Sequence, residues 1–228
     1  MGLVDRRAAI LVLGSAAFPL TAVSSEPWRS KAASAWSARD VERVLNDSPW
    51  ARRVTIELPG SPDGFNGIGR SRNSGPVAPG GESRLLEYLV RWDSATPIRE
   101  ALARARKNLA PGGSMKSTMN ADRSESFYIL SLIPVEFHPA ERPKAPDGGA
   151  QNRIKSLTTL HRKGHEDLHP TAIAAPNEGS GVLVYYFPKI DPVTLEDTDV
   201  EFRTSAAPAR ISVVFPLKQM VFDNQLAL

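Results

Sequence analysis

Histidine is the side chain best placed to move protons or hold a transition metal near neutral pH, and three of the four in this chain recur at a spacing of four: His161, His165 and His169. On one helix they would share a face. With Glu166 and Asp167 beside them and His138 as a fourth ligand, they could hold a divalent metal. That arrangement would make the chain a metal-dependent hydrolase. Two local signals oppose it. Arg162-Lys163-Gly164 reads as a tight turn, and His169-Pro170 ends any helix at that point. Once the segment is broken into strand and loop, the three imidazoles no longer converge. The reading preferred here is exposed histidines and no metal site, with the hydrolase as the alternative.

Other chemistry is less well supported. Glu196-Asp197 and Asp199 could serve acid–base work or calcium binding, but their place in the polar segment Asp191–Asp199 suits solvated loop residues better. Serines are plentiful, yet none lies in a Gly-x-Ser-x-Gly elbow. Gly67-Ile68-Gly69 lacks the third glycine, the incoming strand and the outgoing helix of a dinucleotide fingerprint. Trp28, Trp36, Trp50 and Trp92 could stack on sugars, but core packing suits at least three of them better. The chain has no cysteine, which excludes disulfides, thiol catalysis and thiolate metal sites. No catalytic, cofactor-binding or metal-binding residue is therefore expected.

The elements that would position these groups follow from periodicity. Ser37 with Asp40 three residues on is a capping-box start, and Val41, Val44 and Leu45 share a helical face as far as Asn46. Val54, Ile56 and Leu58 alternate with polar residues, which predicts a half-buried strand over 53–58. Leu85–Trp92 is a second strand. Thr96-Pro97 opens a second amphipathic helix with Ile98, Leu102, Ala105 and Leu109 inward. Ser126–Phe137 is a third strand, in which Pro134 suggests an edge position or a bend. Ile154–Leu160 reads as strand, and Gly181–Phe187 as the clearest core strand. Val200–Thr204, Ile211–Phe215 and Met220–Phe222 follow at short spacing, and Asp223-Asn224 could turn a last pair. Pro/Gly-rich stretches at 59–81 and 139–149 read as exposed loops. This order predicts an α+β fold, a largely antiparallel sheet with two amphipathic helices packed on one face.

The amino terminus carries Arg6-Arg7, then the apolar run Ala8–Val23, then the small residues Ala22-Val23-Ser24. This is the order of a secretory signal peptide, expected over residues 1–25, with residues 26–228 as a single domain. The run is short for a membrane span and is interrupted by Gly14 and Pro19, so no stable span is expected after cleavage. Lys and Arg number 28 against 25 Asp and Glu. Neither Arg52-Arg53 nor Arg104–Lys107 forms the clustered basic face that nucleic-acid binding requires.

Three blocks resemble a group of uncharacterised secreted bacterial proteins. They are Trp36-Ser37, Asp40-Val41, Leu45 and Ser48-Pro49-Trp50-Ala51; then Val90-Arg91-Trp92-Asp93-Ser94-Ala95 with Pro97; and Phe215 through Phe222 with Leu226 and Leu228. The long Pro/Gly loops depart from that pattern, and the histidines fall outside it. The resemblance implies a fold and no site residues. Together these features predict a secreted or periplasmic protein, a non-catalytic binding or scaffolding domain.

Overall fold

The computed structural model describes residues 26–58, 83–108, 123–135, 146–175, 180–205 and 210–228. The expected signal segment, the 59–81 stretch, Leu109, His138 and most of the 139–149 stretch lie outside the described residues. No described helix is long and apolar enough to cross a membrane.

Five α-helices and ten strands are present among the described residues, most of the strands in antiparallel pairs, so the fold class is α+β. A short helix α1 (Pro27–Ser30) leads into α2 (Ala38–Asn46). Ser37 and Asp40 close the anticipated capping box: the Asp40 amide donates to Ser37 Oγ at 3.2 Å, and the Ser37 amide donates to Asp40 Oδ2 at 2.9 Å. Two backbone donors that a helix start leaves without partners are satisfied in this way. Strand β1 (Ala51–Leu58) pairs with β2 (Arg84–Trp92), which runs into α3 (Thr96–Asn108). Helices α2 and α3 pack against each other and send Val41, Val44, Ile98 and Ala101 into the main core.

A one-turn helix α4 (Arg123–Ser126) precedes β3 (Phe127–Pro134). β3 lies inside its sheet, between β2 and β6 (Leu183–Pro188), and Pro134 is its last residue. The edge position expected from Pro134 is not realised; the proline ends an interior strand instead. The fold departs from expectation just after this. Residues 154–156 belong to a helix, α5 (Gly148–Ser156), and only β4 (Thr158–His161) is extended. Asp147 caps this helix by accepting from the Ala150 amide at 2.8 Å. The Gly148-Gly149 pair concealed it, because glycine at a helix start is tolerated but reads as loop. A short edge strand β5 (Ala172–Ala174) was also not anticipated.

The strands do not form one sheet. Five make the order β1-β2-β3-β6-β5. A second sheet has the order β4-β7-β8, with β7 at Asp199–Thr204 and β8 at Ile211–Pro216. The expected final turn is present: β9 (Val221–Phe222) and β10 (Gln225–Leu226) pair across Asp223 and Asn224, at φ +49° and +62°. Both residue types tolerate the left-handed region. The inward faces of both sheets meet in one aromatic core. Trp92 packs edge-on against Tyr128 at 5.6 Å and Phe215 at 5.4 Å, and Phe202 packs against Tyr185 at 5.4 Å.

Polar groups that the packing encloses are paired where β2 meets α3. The buried Asp93 carboxylate accepts from Arg91 Nε at 2.5 Å and from the Ser131 hydroxyl, and Ser94 Oγ accepts from the Ile129 amide. These bonds join the end of β2 to β3 where the ladder stops, and so fix the start of α3.

Candidate functional site

A dense group of polar side chains lies where β4 leaves its sheet. Thr158, Leu160 and Arg162 alternate inward, the period-two pattern of an extended chain continued one residue past β4. The chain then turns through Lys163 and Gly164, with Gly164 at φ +84° and the His165 amide donating to Arg162 O at 3.3 Å. A reciprocal pair of backbone bonds between Leu160 and Leu168, 2.9 and 3.0 Å, closes the excursion. The Arg162 side chain is therefore carried inward, where only 3% of it remains exposed.

Its guanidinium fork holds the connection Lys189–Thr198 between β6 and β7. Nη1 donates to Pro192 O at 3.3 Å and to Asp197 Oδ2 at 3.2 Å. Nη2 donates to Asp191 O at 3.1 Å and to the Asp191 carboxylate. His165 spans the same two acids, Nδ1 to Asp191 Oδ2 at 2.8 Å and Nε2 to Asp197 Oδ1 at 3.2 Å. The hydrogen bond from His165, aided by the nearby Arg162 charge, holds the Asp191 carboxyl below the usual carboxylate range.

Further bonds fix the loop from beneath. The Val193 amide donates to Tyr128 Oη at 2.7 Å, and burial pushes that phenol upward. Lys189 Nζ donates to Ser124 O at 2.9 Å and sits 4.8 Å from the centre of the Tyr128 ring. Its partial burial, with Arg99 nearby, lowers the ammonium. The Thr194 amide donates to Asp197 Oδ2 at 3.0 Å. Above these anchors lies a hollow of about 670 Å³ lined by Lys163, His165, Asp191, Thr194, Glu196 and Asp199 among others. On the same loop two large aliphatic side chains face outward, Ile190 at 79% exposure and Leu195 at 47%.

The three histidines spaced at four do not come together. His161 Nδ1 meets Asp167 Oδ1 at 2.6 Å, His165 meets Asp191 and Asp197, and His169 Nδ1 meets the Thr158 carbonyl at 3.1 Å. The turn at Gly164 and the Leu160–Leu168 bridge break the helix that would have aligned them. Among the described residues no group of three or more His, Asp or Glu side chains is arranged to hold a metal ion. Near His165 the two carboxylates already face a guanidinium. The hydrolase built on His161, His165 and His169 thus lacks its required geometry.

The acids at 196–199 also depart from expectation. Glu196 is solvated, but the Asp197 side chain is only 9% exposed, enclosed by Arg162, His165 and the Thr194 amide. Arg162 is the functional residue that the sequence does not single out, because Arg162-Lys163-Gly164 reads as a turn. Its signal was the alternation Thr158, Leu160, Arg162. All four tryptophans are buried, Trp50 and Trp92 completely, so none offers a face for stacking a sugar. No protein-family model matches this chain, and no curated protein or solved structure matches it at a significant level.

Proposed function

We propose that this is an exported, non-catalytic binding domain whose recognition element is the Lys189–Thr198 loop. The observation that carries this reading is the conjunction on one short segment of two solvent-facing aliphatic side chains with a buried arginine that fixes the backbone beneath them. Exposed apolar side chains on a pre-ordered loop lower the ordering cost of association, because the loop does not have to be immobilised on binding. The polar groups beneath it are engaged with one another: both His165 nitrogens face carboxylates, and the Arg162 fork is saturated. They support the loop more readily than they would serve turnover. Export is supported by the charged, apolar and small-residue order of positions 1–25. Kinship with the secreted bacterial group rests on the Trp36–Ala51, Val90–Pro97 and Phe215–Leu228 blocks.

The test is capture of partners from the periplasmic and secreted fractions, using the wild-type chain and the double variant I190D/L195D. The expected result is a partner retained by the wild type and lost by the variant at an unchanged melting temperature. Equal capture by both would remove the loop from recognition. Recovery of the protein from cytosol with its amino terminus intact would remove export.

A further inference from the structure

The Lys189–Thr198 loop carries charge as well as its two exposed aliphatic side chains, and the two kinds of surface adjoin. Ile190 precedes Asp191, and Leu195 sits between Thr194 and Glu196, so both flank residues that line the hollow of about 670 Å³. Four carboxylates line it: Asp191, Glu196, Asp197 and Asp199. Lys163 and His165 stand beside them, and Arg162 is buried against two of them. The acids therefore exceed these cations by two with His165 neutral and by one with it charged.

That excess is unevenly engaged. Asp191 and Asp197 face Arg162 and His165. Among the described residues no cation meets Glu196 or Asp199, and no acid meets Lys163. Lys163 opposes the excess without cancelling it. Carboxylates without counter-charges beside an apolar surface set the sign of what docks there, because an opposite charge is attracted and a like charge costs energy. The aliphatic pair sets the rest. A bare cation makes no use of Ile190 and Leu195, whereas a purely apolar partner would strip water from Glu196 and Asp199 and supply nothing in its place.

We infer that the occupant of this surface is a cationic, amphipathic peptide segment of a partner protein, its lysine or arginine meeting Glu196 and Asp199 and its aliphatic neighbours resting on Ile190 and Leu195. The inference rests on the loop being the recognition element, and adds the chemistry of what it recognises. Both acids lie at the surface, Glu196 exposed and Asp199 half-buried, so each charge contact is modest and is screened by salt.

The probes are short peptides of equal length, in which leucine alternates with lysine, leucine with glutamate, or serine with lysine. Each is titrated into ¹⁵N-labelled full chain at low and at high salt. The leucine–lysine peptide is expected to shift the Val193, Thr194 and Glu196 amides saturably, with the other two at least about fivefold weaker and added salt weakening all lysine peptides. E196Q is expected to weaken the leucine–lysine peptide about two- to fivefold, and K163Q to strengthen it by a similar factor. A folding defect does not produce opposite signs from two exposed positions, and the comparison among peptides needs no variant. Equal binding of the leucine–glutamate or of the serine–lysine peptide would overturn the inference, as would shifts that never saturate. The loop's part in recognition is read separately, from partner capture by wild type and by I190S/L195S, which removes the apolar pair at constant charge. Capture lost in that variant, with no preference for the leucine–lysine peptide, refutes the cationic partner and leaves the recognition loop standing; capture unchanged refutes both.

Discussion

Replacing Arg162 by alanine removes a buried cation from between two carboxylates and two carbonyls. The guanidinium reaches Asp191 O and Pro192 O, the Asp191 carboxylate, and Asp197 Oδ2. Breaking a buried ion pair from one side costs about 3–5 kcal/mol, because the remaining charge is left without compensation. Here the figure must be reduced. The Asp191 side chain is half-exposed and can rehydrate, whereas Asp197 is enclosed and keeps the Thr194 amide donor with His165 Nε2 3.2 Å away. The expected loss is thus about 2–4 kcal/mol, or a fall in melting temperature of about 4–16 °C for a domain of this size. R162K should lie between the two, since ammonium keeps the charge but loses the planar fork. Thermal unfolding gives the global cost, and hydrogen exchange at the Val193 and Thr194 amides gives the local one. Both amides should exchange faster in R162A, with Val193 retaining some protection from Tyr128. A melting temperature within about 2 °C of wild type, or unchanged exchange at both amides, would refute the claim that Arg162 holds the loop.

Other consequences follow from individual elements. S37A should cost about 1 kcal/mol in denaturant unfolding, because the Asp40 amide loses its acceptor. Asp40 is held down to about 2 by bonds from Lys31 and Ser37, and Glu201 to about 2 by bonds from Arg203 and Ser212. Their unfolded values are near 3.8 and 4.5. The contribution of each is therefore complete above its unfolded value and is lost as pH falls toward 2. D40N should flatten the stability profile between about pH 4 and 2, and a profile parallel to wild type would count against this pairing. Asn224 at φ +62° should accept glycine, while N224V should cost about 1–2 kcal/mol in thermal unfolding. Acrylamide should quench the tryptophan fluorescence weakly, because all four indoles are buried. F215A, which empties the contact between the two sheets, should cost about 3–5 kcal/mol by denaturant titration.

Local signals carried much of the fold. The Ser37–Asp40 box, the apolar stripe beginning at Ile98, the alternation of β1, the apolar run of β6 and the Asp223-Asn224 turn each act over a few residues. Their side chains decide φ, ψ and facing without help from distant chain, and each appears in the structure as read. The helical residues 154–156 escaped because Gly148-Gly149 hides a start that depends on the Asp147 cap. β5 escaped because three residues carry no usable period. The division into two sheets depends on which strands find one another, a matter of long-range pairing that adjacent residues do not encode.

The candidate surface divides in the same way. Composition and order alone determined the α+β class, the absence of thiol chemistry, and the turn that separates His161 from His165. Whether Asp197 is solvated or enclosed was decided only when β4 and the Lys189–Thr198 loop came together, 29 to 35 positions apart along the chain. The inward alternation of Thr158, Leu160 and Arg162 was present in the residues. Its meaning was not, because a buried arginine is stable only where distant carboxylates and carbonyls meet it, and the tertiary fold supplies them.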